Sequence, residues 1–299
     1  MLPCNQCSPG QRRTRWFFLL LVASIGFLPS CRSSVQVENM VDVGGHRLCY
    51  QLHGRGTPAV VLDVGVGESF QSWSSIVAEL SLATSVLVYD RAGYGSSDMG
   101  PLPRHAKAEA ADLRSLLRNA GVKGPYILVG HSLGGLNMQV FAGEYPADVA
   151  GMMLLDPPPR DWLAGNSFPD LKERFLRAAE DISKAAAAAG QPADEKGGRQ
   201  ASFMKTIASE HAEFFGNTGR QVLAVTSFGD LQLIVIAAAR PNPAFGNEAE
   251  AYQKHWIEES RKLSRLSSAG EFILAERAGH HIHQDDPNLV LAAIRRLLK

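Results

Sequence analysis

A serine flanked by glycines is the feature of this chain that points most directly to chemistry. The segment Gly130-His131-Ser132-Leu133-Gly134 follows an apolar run, residues 126–129, and precedes residues 136–144, which have helical spacing. A serine at such a strand-to-helix turn has a strained backbone that projects its hydroxyl, and N–H groups at the start of the helix point toward the same place. The pattern therefore predicts Ser132 as a nucleophile and the backbone N–H of Leu133 as a donor to an oxyanion.

His280 is the predicted base for this serine. A serine hydroxyl reacts well only with a base within hydrogen-bond reach, and an imidazole titrates in the range suited to take its proton and return it. Among nine histidines, His280 follows the apolar run 272–274 at a glycine. That position places it in a loop on the carboxyl edge of a parallel sheet, where Ser132 also lies. His281 and His283 are the close alternatives.

Three other histidines, His131, His281 and His283, lie close in sequence to Ser132 or His280. His131 adjoins the nucleophile and is interpreted as a packing or pocket residue. His281 and His283, with Asp285 and Asp286, have the side chains of a metal cluster, but their spacing matches no standard site. No metal ion is therefore expected.

Asp156 is the predicted acid that orients the histidine. It stands directly after the apolar run 152–155, at the carboxyl end of the sixth predicted strand. Two other carboxylates, Glu248 and Glu250, belong to a helical stretch whose charged face is expected to be solvated. The alternative role for Asp156 is structural, as a strand-end residue that caps the three prolines after it.

The elements that must position these residues form an α/β pattern, in which short apolar runs alternate with helical stretches. Such alternation is typical of a mostly parallel sheet with helices on both faces. An antiparallel hairpin, residues 35–43 and 46–52, is predicted to turn at Gly44-Gly45. The later predicted strands are residues 59–62, 86–89, 126–129, 152–155, 233–236 and 272–274.

The regular spacing of strands breaks once, between residues 155 and 233. This interval holds two helical segments, residues 171–189 and 201–215, separated by a polar break at 190–200. We predict an α-helical cap, residues 157–228, inserted into a core formed by residues 31–156 and 229–299. The cap is expected to control access to the site.

The first thirty residues have the pattern of an export signal. Arg12, Arg13 and Arg15 precede an apolar stretch, residues 16–28, which is short for a transmembrane helix of roughly 20 apolar residues. The following Leu28-Pro29-Ser30-Cys31 resembles the lipobox of bacterial lipoproteins, in which the cysteine is lipidated. Residues 1–30 are therefore predicted as a signal peptide and Cys31 as the lipidated residue. The alternatives are ordinary cleavage, giving a periplasmic or secreted protein, and an uncleaved anchor.

Composition excludes several classes of function. With 30 basic and 30 acidic residues and a pI near 7.1, the chain lacks the charge of a nucleic-acid-binding protein. An apolar content of 45% in 299 residues is ample for a large core and excludes a disordered chain. Gly93 and Gly95 lack the third glycine of a dinucleotide-binding motif, so no cofactor is expected. Contact with a membrane is expected only through the amino-terminal anchor.

From about residue 41 to residue 299 the chain resembles the α/β-hydrolase superfamily. The resemblance is carried by the Ser132 segment, by residues 90–98, which are similar to the family's D-R-x-G-x-G-x-S-D loop, and by Gly279-His280 with Pro287, which are similar to its G-H-x6-P segment. It implies acyl transfer or hydrolysis with nucleophile, acid and histidine in that chain order. A serine at position 132 argues against haloalkane dehalogenase and epoxide hydrolase chemistry, which uses a carboxylate there.

The resemblance also assigns three other positions. The family's His-Gly-x segment corresponds to Val64-Gly65-Val66, so the backbone N–H of Val66 is the implied second oxyanion donor. Most members place the acid in the loop after the seventh strand, where this chain has no carboxylate before Glu248. Some members place it after the sixth strand, which is the position of Asp156. Asp90 and Arg91 are interpreted as structural residues that hold their own glycine-rich turn.

The leading hypothesis is a serine hydrolase that cleaves carboxylic ester, lactone or related acyl bonds of a small apolar molecule through an acyl-enzyme. One alternative is a catalytically inactive binding lipoprotein with this fold, favoured by the missing carboxylate after the seventh strand and the missing histidine before Gly65. The other alternative is a cofactor-free haloperoxidase-like member, which would use the same triad. The sequence predicts neither the particular substrate nor the oligomeric state.

Overall fold

The computed structural model describes residues 38–188 and 194–299. The predicted signal peptide, residues 1–30, and the predicted lipidation site, Cys31, lie outside the described residues. None of the described helices has both the length and the hydropathy needed to cross a membrane.

A single sheet of eight strands forms the centre of the described part of the chain. The strands are β1 (Asn39–Asp42), β2 (Arg47–His53), β3 (Val60–Asp63), β4 (Val86–Tyr89), β5 (Tyr126–His131), β6 (Val149–Leu155), β7 (Gln232–Ala238) and β8 (Gly270–Ala275). Their order is β1-β2-β4-β3-β5-β6-β7-β8. β2 pairs antiparallel with β1 and β4, and the other pairs are parallel. The predicted α/β class with a mostly parallel sheet is confirmed.

Strand residues alternate between two apolar cores, one on each face of the sheet. Val60 and Leu62 pack in the core that contains α1 (Ser74–Leu80), α9 (Ile282–Asp285) and α10 (Pro287–Leu297). Val61 packs in the opposite core. The opposite core contains α2 (Ala106–Asn119), α3 (Leu133–Glu144) and α8 (Ala249–Ser264). Because successive strand side chains point to opposite faces, a strand buried on both faces must be apolar throughout. This explains why the apolar runs predicted the strands.

The hairpin that opens the sheet turns where the sequence predicts. Asp42 pairs with Arg47, and Gly44 and Gly45 between them have φ values of 122° and 101°. Those backbone angles favour glycine, since other residues would be strained there.

Between β6 and β7 the described residues form four α-helices, α4 (Arg160–Leu163), α5 (Pro169–Ala188), α6 (Glu195–Glu213) and α7 (Gly219–Ala224), and a short π-helical segment, Phe214–Thr218, that joins α6 to α7. α5 and α6 pack against each other. The prediction of a polar break over residues 190–200 is wrong for residues 195–200, which are helical. The Asp194 side chain accepts a hydrogen bond from the Gly197 N–H at 2.7 Å and thereby caps α6. An ion pair between Glu195 and Arg199, four residues apart, supports the first turn.

Candidate active site

Ser132 lies at a strained turn between β5 and α3. Its φ of 51° and ψ of −118° precede the first residue of the helix, Leu133. The neighbouring glycines are required by space: a Cβ on Gly130 would lie 2.4 Å from the Gly134 carbonyl oxygen, and one on Gly134 would lie 2.7 Å from the Val64 carbonyl oxygen. The turn therefore presents the serine hydroxyl at the carboxyl edge of the sheet, beside the amino terminus of α3.

The structure brings Asp156 and His280 into direct contact. Asp156 follows β6, is 2% exposed, and its Oδ2 lies 2.7 Å from His280 Nδ1. Its other oxygen, Oδ1, accepts the Ala238 N–H at 2.9 Å. The carboxylate is thus fixed by the end of β7 while it holds the imidazole. With Nδ1 engaged, His280 can present only Nε2 to a neighbouring hydroxyl.

The alternative acids lie elsewhere. Glu248 forms an ion pair with Arg174 at the surface, where its side chain is 40% exposed. Glu250 is an exposed residue in the first turn of α8.

Ser132 and His280 line one cavity of about 300 Å³ beneath the inserted helices. The predicted oxyanion donors, Leu133 and Val66, belong to the same lining. Most of the remaining lining is aromatic or apolar, with Pro158, Trp162, Phe175, Phe214, Phe245 and Trp256. The polar residues of the lining are Glu210, His211 and Asn242, besides Ser132 and His280. The site therefore combines a few polar groups with an apolar wall, which suits an apolar acyl group.

Arg91 holds the segment that carries Val66 as well as its own turn. In the turn, its carbonyl oxygen accepts the Tyr94 N–H at 2.9 Å and its guanidinium lies 4.6 Å from the centre of the Tyr94 ring. Its guanidinium donates to the carbonyl oxygens of Val64 at 2.7 Å and Gly65 at 3.1 Å, and to Asp63 Oδ1 at 2.8 Å. The short chain between β3 and Val66 offers several acceptors that the extended side chain of Arg91 can reach. Asp90 also holds the turn, by accepting the N–H of Ser96 at 3.2 Å.

Arg91 also joins the core to the inserted helices. Its Nε donates to Glu210 of α6 at 3.0 Å, and the hydroxyl of Tyr94 donates to the same carboxylate. Burial alone would lower the pKa of Arg91, but the charges of Glu210 and Asp63 raise it well above its ordinary value. The side chain is fully buried, so this cation depends on its anionic partners.

His131, His281 and Glu68 form a group next to the backbone of His280. His131 is fully buried, with Nε2 2.8 Å from the His280 carbonyl oxygen and Nδ1 3.1 Å from Glu68 Oε2. His281 Nδ1 lies 2.8 Å from Glu68 Oε1. Burial alone would raise the pKa of Glu68, but its contacts with both histidines hold it well below its usual range. His131 does not belong to the lining of the cavity, so the predicted pocket role is not supported.

The two aspartates after the histidines, Asp285 and Asp286, accept hydrogen bonds from backbone N–H groups. Asp285 accepts the Gly279 N–H at 2.7 Å, and Asp286 caps α10 by accepting the Leu289 N–H. His283 instead packs on Trp73, with ring centroids 4.3 Å apart, and burial lowers its pKa to about 3. Among the described residues, the structure does not bring the side chains of His281, His283, Asp285 and Asp286 together as a set of metal ligands.

Comparison with known proteins agrees with this architecture. A sequence model of the alpha/beta hydrolase family matches residues 52–294. The uncharacterized protein YqjL of Bacillus subtilis is 27% identical over 244 residues, which cover 81% of this chain and 85% of YqjL.

Solved structures resemble the fold at low identity. A thermophilic esterase from Thermogutta terrifontis is 23% identical with a TM-score of 0.65, covering 88% of this chain and 97% of the esterase. An enol-lactonase from Burkholderia xenovorans is 17% identical with a TM-score of 0.60, covering 87% of this chain and 99% of the lactonase. Likeness at this level establishes the fold alone.

Proposed function

Because the chain belongs to the alpha/beta hydrolase family, we propose that it is a serine hydrolase of small carboxylic esters or lactones, with Ser132, His280 and Asp156 as its triad. The observation that carries the proposal is the 2.7 Å contact between Asp156 Oδ2 and His280 Nδ1, on the wall of the cavity that Ser132 also lines. A base held by a buried carboxylate beside a strained serine is the arrangement that activates a hydroxyl.

The reaction begins when His280 Nε2 takes the proton of Ser132 Oγ as that oxygen bonds to the acyl carbon. Asp156 holds the imidazole and stabilises the positive charge that the ring acquires. The negative charge on the former carbonyl oxygen is stabilised by the N–H groups of Leu133 and Val66. His280 then returns the proton to the leaving alkoxide, and the alcohol departs.

Water completes the reaction. His280 removes a proton from a water molecule as its oxygen attacks the acyl-enzyme, and the tetrahedral intermediate releases Ser132 with its proton restored. One ester and one water give one acid and one alcohol. A lactone gives a single hydroxy acid by the same steps.

The cavity favours small apolar acyl groups. A volume of about 300 Å³ is at the lower end of ligand-binding sites, and aromatic and aliphatic side chains form most of its wall. We therefore expect acetate and butyrate esters to be better substrates than octanoate esters.

Labelling of the purified full chain with a fluorophosphonate probe tests the proposal. The wild type and the control Ser268→Ala, which changes an exposed serine, should be labelled and should hydrolyse p-nitrophenyl acetate. Folded Ser132→Ala should do neither. A folded wild type that neither reacts with the probe nor hydrolyses the acetate, butyrate or octanoate ester would instead support the inactive binding protein.

The amino terminus carries a separate proposal, that residues 1–30 direct export and that Cys31 is lipidated. It is supported by the apolar stretch 16–28 followed by Leu28-Pro29-Ser30-Cys31. Two or more acyl chains at one cysteine are enough for stable anchoring. Metabolic labelling with a palmitate analogue should mark the wild type and spare Cys31→Ser, and equal labelling of both would refute the proposal.

A further inference from the structure

His131 is held between two acceptors that a neutral imidazole cannot both satisfy. The His280 carbonyl oxygen, 2.8 Å from Nε2, can only accept, so a hydrogen bond there requires the proton on Nε2. The lone pair of Nδ1 then faces Glu68 Oε2 at 3.1 Å, and an ionised carboxylate also only accepts. The other neutral tautomer moves the same conflict to the carbonyl. A cation between Nδ1 and the carboxylate removes the conflict.

A second imidazole completes a set of ligands around this point. His281 Nδ1 lies 2.8 Å from Glu68 Oε1, and one ligand atom from each of Glu68, His131 and His281 lies within 4.8 Å of the others. We propose that these three residues bind a divalent transition-metal ion of the Zn²⁺ class. Two imidazole nitrogens and one carboxylate are a ligand set that Zn²⁺ accepts, at about 2.0–2.2 Å from each, with a fourth position open to water.

The surrounding hydrogen bonds are those that orient metal ligands. A ligating histidine usually donates its other ring N–H to a carbonyl or carboxylate, which fixes its tautomer. The contact of His131 Nε2 with the His280 carbonyl does this and leaves Nδ1 for the ion. The Gly65 N–H donates to Glu68 Oε2 at 3.1 Å and orients the carboxylate. The His281 side chain is 51% exposed, so an ion can approach from solvent.

A second group of potential ligands among the described residues lacks this conflict. Asp161, His255 and Glu259 also lie within ligand distance of one another. There, however, His255 Nε2 donates to Asp161 and Glu259 accepts from Lys262. A neutral His255 satisfies its contact, so nothing in this group requires a cation, and it provides a matched control.

The ion would have a structural role rather than a catalytic one. None of its three ligands is among the described residues that line the cavity, so it has no route to the acyl group. It would connect the segment of Glu68, which follows the oxyanion residue Val66, to the segment that carries His280. The inference is independent of the proposed reaction, because metal content and probe labelling are measured separately.

Equilibrium dialysis of the tag-free full chain against Zn²⁺ and Co²⁺ tests the site. After removal of metal by a chelator, bound ions per chain are measured by mass spectrometry and the Co²⁺ site by visible absorption. His281→Ala, which truncates a half-exposed side chain, should bind at least about tenfold more weakly than the wild type, since even outer partners of a ligand contribute that much. Glu68→Gln should likewise fail to bind the metal ion that the wild type binds, and His255→Ala should still bind it.

Two results would overturn the site. One is binding by folded His281→Ala and Glu68→Gln equal to that of the wild type. The other is absence of a bound equivalent in the wild type, together with nitrogen chemical shifts that show His131 protonated at both ring nitrogens. In that case a second proton, rather than a metal ion, would relieve the conflict.

Discussion

Replacing Asp156 by asparagine should invert the tautomer of His280 while leaving the fold intact. The N–H of Ala238 donates to Asp156 Oδ1 at 2.9 Å, so the amide of an asparagine must place its oxygen there. Its NH₂ group then faces His280 Nδ1, which lies 2.7 Å from the other carboxylate oxygen. A donor at that position requires Nδ1 to accept, so the ring proton moves to Nε2. Nε2 can then no longer take the proton of Ser132.

The expected loss in kcat is on the order of 10⁴, as when other triads lose the orienting carboxylate. This corresponds to about 5.4 kcal/mol in the activation free energy. Stability should change little, because the asparagine has the same shape and keeps both hydrogen bonds.

The assay is hydrolysis of p-nitrophenyl acetate by the wild type, Asp156→Asn and the surface control Glu248→Gln. Circular dichroism and thermal unfolding establish that each variant is folded. Glu248→Gln removes only an exposed ion pair with Arg174. Because such a pair contributes at most about 1 kcal/mol to stability and neither residue lines the cavity, this variant should retain nearly the activity of the wild type. A folded Asp156→Asn that retains more than about a tenth of the wild-type rate, a loss far short of that in other triads, would refute the tautomer argument. If Glu248→Gln were the inactive variant, the acid would follow β7 instead.

Three further predictions concern stability. Burial raises the pKa of Asp90 from 3.8 to about 6. The folded protein therefore keeps the proton on Asp90 to a higher pH than the unfolded chain does. As the pH rises from about 4 to above 6, the free energy of unfolding should fall by about 3 kcal/mol. Asp90→Asn should abolish this part of the pH dependence. Gly130→Ala should lower the free energy of unfolding by about 3 kcal/mol, because its Cβ would lie 2.4 Å from a backbone oxygen. Gly198→Ala, at an open position in a helix, should raise the free energy of unfolding by up to about 1 kcal/mol. Glu210→Gln should cost about 3 kcal/mol, since it leaves the buried Arg91 with one anionic partner.

Urea denaturation measures all three, at pH 4 to 7.5 for Asp90→Asn and at pH 7 for the others. Identical pH profiles for Asp90→Asn and the wild type would contradict the assignment of the raised pKa to burial. Equal effects of the two glycine substitutions would show that the turn relaxes around a methyl group. A Glu210→Gln protein as stable as the wild type would mean that water or another anion compensates Arg91.

The parts of the fold that the sequence predicts are those set by local pattern. The strands appear as apolar runs because both faces of the sheet are covered, and the Ser132 turn is marked by glycines that its close backbone contacts require. Asp156 is suggested by its place at a strand end, and the structure sets it against His280. The start of α6 carried an available signal, because Asp194 precedes it as a capping residue.

The contacts that local pattern does not predict are those between distant segments. Glu210 stands in a helix among polar residues and looks like a solvated charge, yet it meets Arg91, which is 119 positions away. Glu68 follows an irregular segment and meets His131 across 63 positions. No periodicity relates such residues, so only the assembled fold shows which buried cation needs which anion.

The attachment of Glu210 to Arg91 has a consequence for how substrate reaches Ser132. α6 cannot swing away from the core at this point without separating opposite charges in a dry interior, and such separation is costly. For the hydrolase proposed above, we therefore expect admission of substrate to depend on wall side chains such as Phe175 and Phe214 rather than on outward movement of α6. The upper size of an acyl group should then be set by how far those rings can turn.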